Sequence, residues 1–485
     1  MANPSIEKAE PRDQPVASVR SQGSFLDRTF VRLVNLWRDL SDSVSGTVDA
    51  TLSSEGDVRR LREQMQACLE GRGGEVSARA RAAALGRTYL GLDELGRERF
   101  LRILAGSFDA DRSTVDSAIA AVTEAGSAER PRAEAALRAA LEPPRMRLLT
   151  QFNALPQGVK FLVDLRADLM KFSRRDETLG ALDADLRRLL ASWFDIGFLD
   201  LRQITWDSPA TVLEKLIAYE AVHEIHGWED LKNRLDSDRR CFAFFHPRMP
   251  DEPLIFVEVA LVDGMAENIA ALLDQSAPVV DPARNADTAI FYSISNAQKG
   301  LAGISFGGFL IKRVVDLLAA EFSGLKTFAT LSPIPNFCRW LERQMSDGVS
   351  PLLPAEAKSI RAATGLEEGV EQLRGILASE HWFQDEKIAS ALRDPLMRLC
   401  AQYLLNEKGR AGRALDPVAH FHLTNGARLE RLNWLGDTSK SGLERSAGLM
   451  VNYLYELDRI EENHESYTGD GSVTASAAVT RLLKS

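Results

Sequence analysis

The chain has 485 residues, 45% of them hydrophobic, so it can bury sizeable cores in about two or three domains of common size. Lysine and arginine total 59 against 69 aspartates and glutamates, and this net charge of −10 argues against a dedicated nucleic-acid binder. No stretch stays apolar over the ~18 residues of a membrane span, and Cys68, Cys241, Cys338 and Cys400 lie too far apart for a CxxC pair or a zinc site, as expected of a reduced intracellular protein.

Residues 1–24 mix acids, Arg, Pro and Ser. They lack the apolar centre of a signal peptide and the acid-poor character of a transit peptide, so they read as a disordered tail of a cytoplasmic protein. Ser24 with Asp27 resembles a capping box, and Phe30, Leu33, Val34, Trp37 and Leu40 follow at helical spacing. Further helical stretches between Val58 and Phe194 are rich in Ala, Leu, Arg and Glu, which lose little freedom in a helix. Residues 25–195 are therefore expected to form an all-α bundle, with Arg79, Arg81 and Arg87 on a solvated face.

The pattern changes near Gly197. Thr211 to Val222 reads as one more helix, and then strands begin. CFAFF (Cys241 to Phe245) and LIFVEVALV (Leu254 to Val262), joined by a proline-rich link, predict a hairpin. AIFYSI (Ala289 to Ile294) predicts a third strand, and Phe306 to Glu321 a helix. Phe328 to Leu331 is a further strand ending at Ser332, and VAHFHL (Val418 to Leu423) another. From Leu443 to Ile460 the apolar spacing favours a helix, over a strand through Leu449, Val451, Tyr453 and Tyr455. Residues 196–485 are thus expected to be a mixed-sheet domain, and the whole chain α+β.

Three places could carry chemistry. Gly300, Gly303, Gly307 and Gly308 lie between a strand and a helix, where backbone N–H groups and a helix N-terminus can meet an anion. The loop matches neither a P-loop nor a dinucleotide fingerprint, and taken alone it is equally a tight turn. Ser332 precedes Pro333, so locally it reads as a helix cap. His420 and His422 would share one face of a strand, but no third metal ligand lies nearby, so no metal is expected.

The stretches CFAFFHPRMPDEPLIFVEVAL, AIFYSISNAQKGLAGISFGGFLIKRVV, LSPIPNFCRWL, FHLTNGARLERLNW and GLMVNYLYELDRIEENHESY belong together. From about Phe198 to Tyr467 the chain resembles the malonyl-CoA decarboxylase family, with a looser likeness in the preceding helices. The resemblance implies a helical domain joined to a GNAT-like catalytic domain. It places CoA binding on Gln298, Lys299, Gly300, Gly303, Ser305, Gly307 and Gly308, and action on the malonyl group at Ser332 and His422, with Tyr455 lining the site. Family members carry a glutamate where Ser305 stands, so an acid role there is in question. The implied reaction converts malonyl-CoA to acetyl-CoA and CO2 with no cofactor beyond the CoA of the substrate. Homo-oligomers through the helical domain are implied as well. The final Leu-Lys-Ser differs from a peroxisomal Ser-Lys-Leu, and a cytoplasmic location is expected. An acyl-CoA-dependent acyltransferase and a non-catalytic acyl-CoA sensor are the alternatives.

Overall fold

The computed structural model describes residues 33–38 and 48–484, apart from 71–73, 175, 195, 280, 282–284, 305–309, 347–349, 367–369, 380 and 410–411. The expected tail, the Ser24–Asp27 box and Ser305, Gly307 and Gly308 of the glycine loop lie outside the described residues. The expected bundle is present as helices Glu55–Leu69, Gly74–Leu90, Glu94–Ser107, Arg112–Glu124, Arg130–Leu141, Pro144–Phe152, Gly158–Ser173 and Thr178–Trp193. Their starts follow from side-chain caps. Ser54, Asp93 and Asp111 each accept a backbone N–H of the first turn, which contributes about 1 kcal/mol per cap. Trp37, Tyr89, Phe152 and Phe161 form an aromatic centre, with Trp37 edge-on to Phe161 at 5.1 Å. Arg79 pairs with Glu75 on the solvent side.

Among the described residues, the second region is built on eight strands: β1 Asp200–Ile204, β2 Arg239–His246, β3 Met249–Val262, β4 Thr288–Asn296, β5 Thr327–Thr330, β6 Ser332–Pro333, β7 Arg428–Asn433 and β8 Met450–Leu454. Their order is β1-β2-β3-β4-β5-β8-β6, with β7 also on β8. The expected hairpin is β2–β3. Glu258, the charged interruption of the apolar β3 run, is buried against Arg234 at 2.9 Å. Burial pushes its carboxyl up to about 7, against the pull of Arg234.

Strands β4 and β5 are parallel, from the pair Thr288 and Thr327 to the pair Phe291 and Thr330. They then part. β4 continues to Asn296, whereas the chain after Leu331 pairs Ser332 with Val451 of β8. A sheet of mainly antiparallel strands with one diverging parallel pair is the mixed-sheet architecture expected of residues 196–485, and the divergence makes a cleft.

Several local expectations are corrected. VAHFHL is not a strand but part of the helix Pro417–Thr424. Asp416 caps it through the N–H groups of Val418 and Ala419, and Pro417 suits its first turn. Ser332 caps no helix; it lies in β6, and the next helix, Phe337–Ser346, starts five residues later. Leu443 to Ile460 is not one helix. The helix Lys440–Ser446 stops where Ala447 (φ 51°) and Gly448 (φ 78°) turn left-handed, and β8 follows.

Candidate active site

A cavity of about 570 Å³ occupies the cleft where β4 and β6 part. Phe291, Ile294 and Asn296 of β4 form one wall, and Ser332, His420 and His422 belong to the other. Ser332 is held by β6 and the prolines after it, which leave its backbone little freedom. His422 stands in the last turn of the Asp416-capped helix. Its carbonyl accepts the N–H groups of Asn425 and Ala427, both at 3.1 Å. Tyr455 directly follows β8; its N–H donates to Phe328 O at 2.8 Å and its ring meets Phe291 edge-on at 6.3 Å.

These three side chains, far apart in sequence, form one hydrogen-bonded chain. Ser332 Oγ lies 3.2 Å from His422 Nε2, and His422 Nδ1 lies 2.8 Å from the Tyr455 hydroxyl. The imidazole stacks on Tyr453, with centroids 4.6 Å apart and planes 22° from parallel. His422 is only 3% exposed and has no carboxylate among its hydrogen-bond partners. Burial therefore pushes it down to about 3, and the same burial holds the Tyr455 phenol well above its ordinary value. Among the described residues that line the cavity there is no lysine, arginine, aspartate or glutamate.

Gly303, at φ 75°, lines the cavity, and Lys299 is exposed. Gln298 and Gly300 are both buried and pack against the protein. Gln298 is buried and donates from Nε2 to Pro253 O at 2.9 Å. Gly300 packs on the bundle so closely that a Cβ would come 1.8 Å from Val163 O. Arg166 of the helix Gly158–Ser173 donates to Gly300 O at 2.6 Å and Ala302 O at 2.9 Å. These two residues set the shape of the loop from behind.

Lys312 is paired with Glu461 at 2.9 Å, and Arg313 donates to Leu199 O at 3.1 Å.

Other residues were invisible as site residues in the sequence. Glu220 lies behind β4 and accepts from the Ser293 and Ser295 hydroxyls at 2.8 and 3.0 Å. It also accepts the N–H groups of Val222 and His223 at 2.8 and 2.7 Å, which brings Val222 to the cavity wall. His420 does not pair with His422 on one face, because a helix turns two residues about 200° apart. Its Nδ1 meets the Tyr467 hydroxyl at 2.8 Å.

Comparison with known proteins follows the same division of the chain. The family model described as "Malonyl-CoA decarboxylase C-terminal domain" matches residues 197–485, and the "Malonyl-CoA decarboxylase N-terminal domain" model matches residues 108–194. The chain belongs to the malonyl-CoA decarboxylase family. The mitochondrial malonyl-CoA decarboxylase of Mus musculus is 40% identical over 447 residues, 87% of each chain. That of Anser anser anser is 39% identical over 423 residues. The crystal structure of malonyl-CoA decarboxylase from Rhodopseudomonas palustris is similar with TM-score 0.80 and 44% identity, covering 87% of this chain and 99% of that one. The Agrobacterium vitis structure gives 0.79 and 43% over the same shares. The activity is accordingly that of a carboxy-lyase, the decarboxylation of malonyl-CoA to acetyl-CoA and CO2, rather than acyl transfer or sensing.

Proposed function

We propose that malonyl-CoA reacts in the cavity between β4 and β6, with Ser332, His422 and Tyr455 as its reacting centre. The observation that carries this reading is the hydrogen-bonded chain of the three side chains, of which Ser332 and His422 line the cavity. The substrate carboxylate lies against Ser332, which turns it out of the thioester plane so that the breaking C–C bond overlaps the carbonyl. Phe291 and Ile294 offer that carboxylate no hydration, which favours its loss as neutral CO2. The bond electrons pass to the thioester as an enolate. The negative charge raises the proton affinity of His422, which is neutral at rest, so a proton enters from solvent. His422 then passes it to the α-carbon and returns to neutrality. One proton is consumed and acetyl-CoA leaves. Tyr455 orients the imidazole.

The CoA phosphates are assigned to the loop through Lys299, Gly303, Ser305, Gly307 and Gly308, before the helix Leu310–Glu321. The chemistry requires no metal or redox cofactor. Ser332→Ala and His422→Ala, each shown to be folded, are expected to lower acetyl-CoA formation from malonyl-CoA by about 100-fold or more. EDTA is expected to leave the wild-type rate unchanged. Near-normal rates in both variants would overturn the assignment.

Assembly as a homo-oligomer is supported by the helices Arg112–Glu124 and Arg130–Leu141. They bury no side chain of their own and leave Ile119 and Leu141 about half exposed. A second copy is the proposed cover. The proposed location is cytoplasmic, while the mouse relative is named mitochondrial, and cell fractionation decides between the two.

A further inference from the structure

Thr330 ends β5 and is completely buried. Two donors converge on its Oγ1. Tyr453 N lies at 3.1 Å, and a backbone N–H can only donate. The Ser332 hydroxyl donates to the same oxygen at 2.8 Å. With its proton directed to Thr330, Ser332 meets His422 Nε2 as an acceptor, so the imidazole carries its proton on Nε2. Nδ1 is then a lone pair, and it accepts from the Tyr455 hydroxyl at 2.8 Å. One direction therefore runs through the whole chain, from Tyr455 to His422, to Ser332, to Thr330. Its end is rigid, because the Thr330 carbonyl also accepts from Asn452 Nδ2 at 2.6 Å.

We propose that Thr330 is a positioning residue that fixes the direction of the Ser332 hydroxyl and, through it, the tautomer of His422. The movable proton of the imidazole is thereby kept on the nitrogen facing Ser332 and the cavity, where an enolate carbon would need it. Without the Thr330 acceptor, Ser332 would turn its own proton toward Nε2. The imidazole proton would then move to Nδ1, on the side of Tyr455 and away from the substrate. The catalytic meaning of this device rests on the proposed roles of Ser332 and His422, whereas the tautomer itself can be measured without turnover.

The test uses the full chain with ¹⁵N-labelled histidine. Thr330→Val keeps the volume and removes the acceptor; Thr330→Ser restores it. In the wild type, His422 is expected to show a protonated Nε2 and an unprotonated Nδ1. Thr330→Val is expected to shift this signature toward protonated Nδ1 and to lower kcat about 10- to 100-fold, with KM within about twofold. Thr330→Ser is expected to recover the tautomer and to bring kcat within about threefold of wild type. If the valine variant does not fold, Thr330→Cys, a weak acceptor, is read in the same way. An unchanged tautomer in a folded variant lacking the acceptor overturns the proposal. So does a serine variant as impaired as the valine one, or a loss confined to KM. A shifted tautomer with unchanged kcat would confirm the device while removing its catalytic role. Normal rates in Ser332→Ala and His422→Ala would instead remove the underlying reading of the site.

Discussion

His422 carries a charge cost that can be measured in stability. Its proton leaves at about 3 in the folded protein, against ~6.5 for an unperturbed imidazole. Between these values the unfolded chain holds a proton that the folded chain does not, so stability falls as the pH drops from about 6.5 toward 3. The slope from this one group approaches about 1.4 kcal/mol per pH unit. His422→Gln is expected to remove it, reducing the loss between about pH 6.5 and 5.5 by about 1 kcal/mol in urea unfolding. An unchanged slope would mean that the imidazole is solvated or paired. The sequence offered part of this. The resemblance pointed to Ser332, His422 and Tyr455, but no spacing between residues 332, 422 and 455 could disclose a hydrogen-bonded chain. Thr330 and Glu220 gave no sequence signal, since a buried hydroxyl or carboxylate earns meaning only from the atoms brought to it.

Among the elements, long periodic segments were legible and short ones were not. The bundle helices repeat their apolar positions over several turns, and that pattern survives any tertiary context. VAHFHL spans only six residues, too few to separate a strand from a helix by period, and the deciding signal was the Asp416–Pro417 start. In the last third, Leu449 to Leu457 satisfied both periods, and the deciding feature was the left-handed pair Ala447 and Gly448. The glycine loop shows the same division. Its type was readable, but the close approach of Gly300 to Val163 was not. Gly300→Ala is expected to push the loop off the bundle, with a stability loss of about 1–3 kcal/mol and a raised KM for malonyl-CoA. Differential calorimetry and steady-state kinetics check both. Unaltered values would show that the loop yields without cost.

At the scale of the molecule, the sheet supplies the cleft and the bundle supports its loop. This coupling follows from one continuous apolar core, which includes Phe161 and Leu165 of the bundle together with Leu301 and Phe291 beyond it. Composition gave two regions and a boundary near Gly197, but not the contact between them. The hairpin Arg112–Leu141 is the part of the bundle that this core does not claim. For the homo-oligomer proposed above, a double variant, Ile119→Lys with Leu141→Lys, is expected to lower the sedimenting mass while leaving the helical content intact. A mass equal to that of the wild type would place the subunit contact elsewhere.

The bonds from Arg166 to Gly300 O and Ala302 O, with Val163 pressed against Gly300, also bear on how such a chain can be recombined. A swap of halves between two relatives cut near residue 195 would separate the supporting helix from the loop it shapes, although the cut falls in neither. Chimeras should therefore inherit the segment Gly158–Ser173 and the loop Lys299–Leu301 from the same parent. The practical seam for grafting a new acyl-CoA specificity follows that contact rather than the boundary between the two domains.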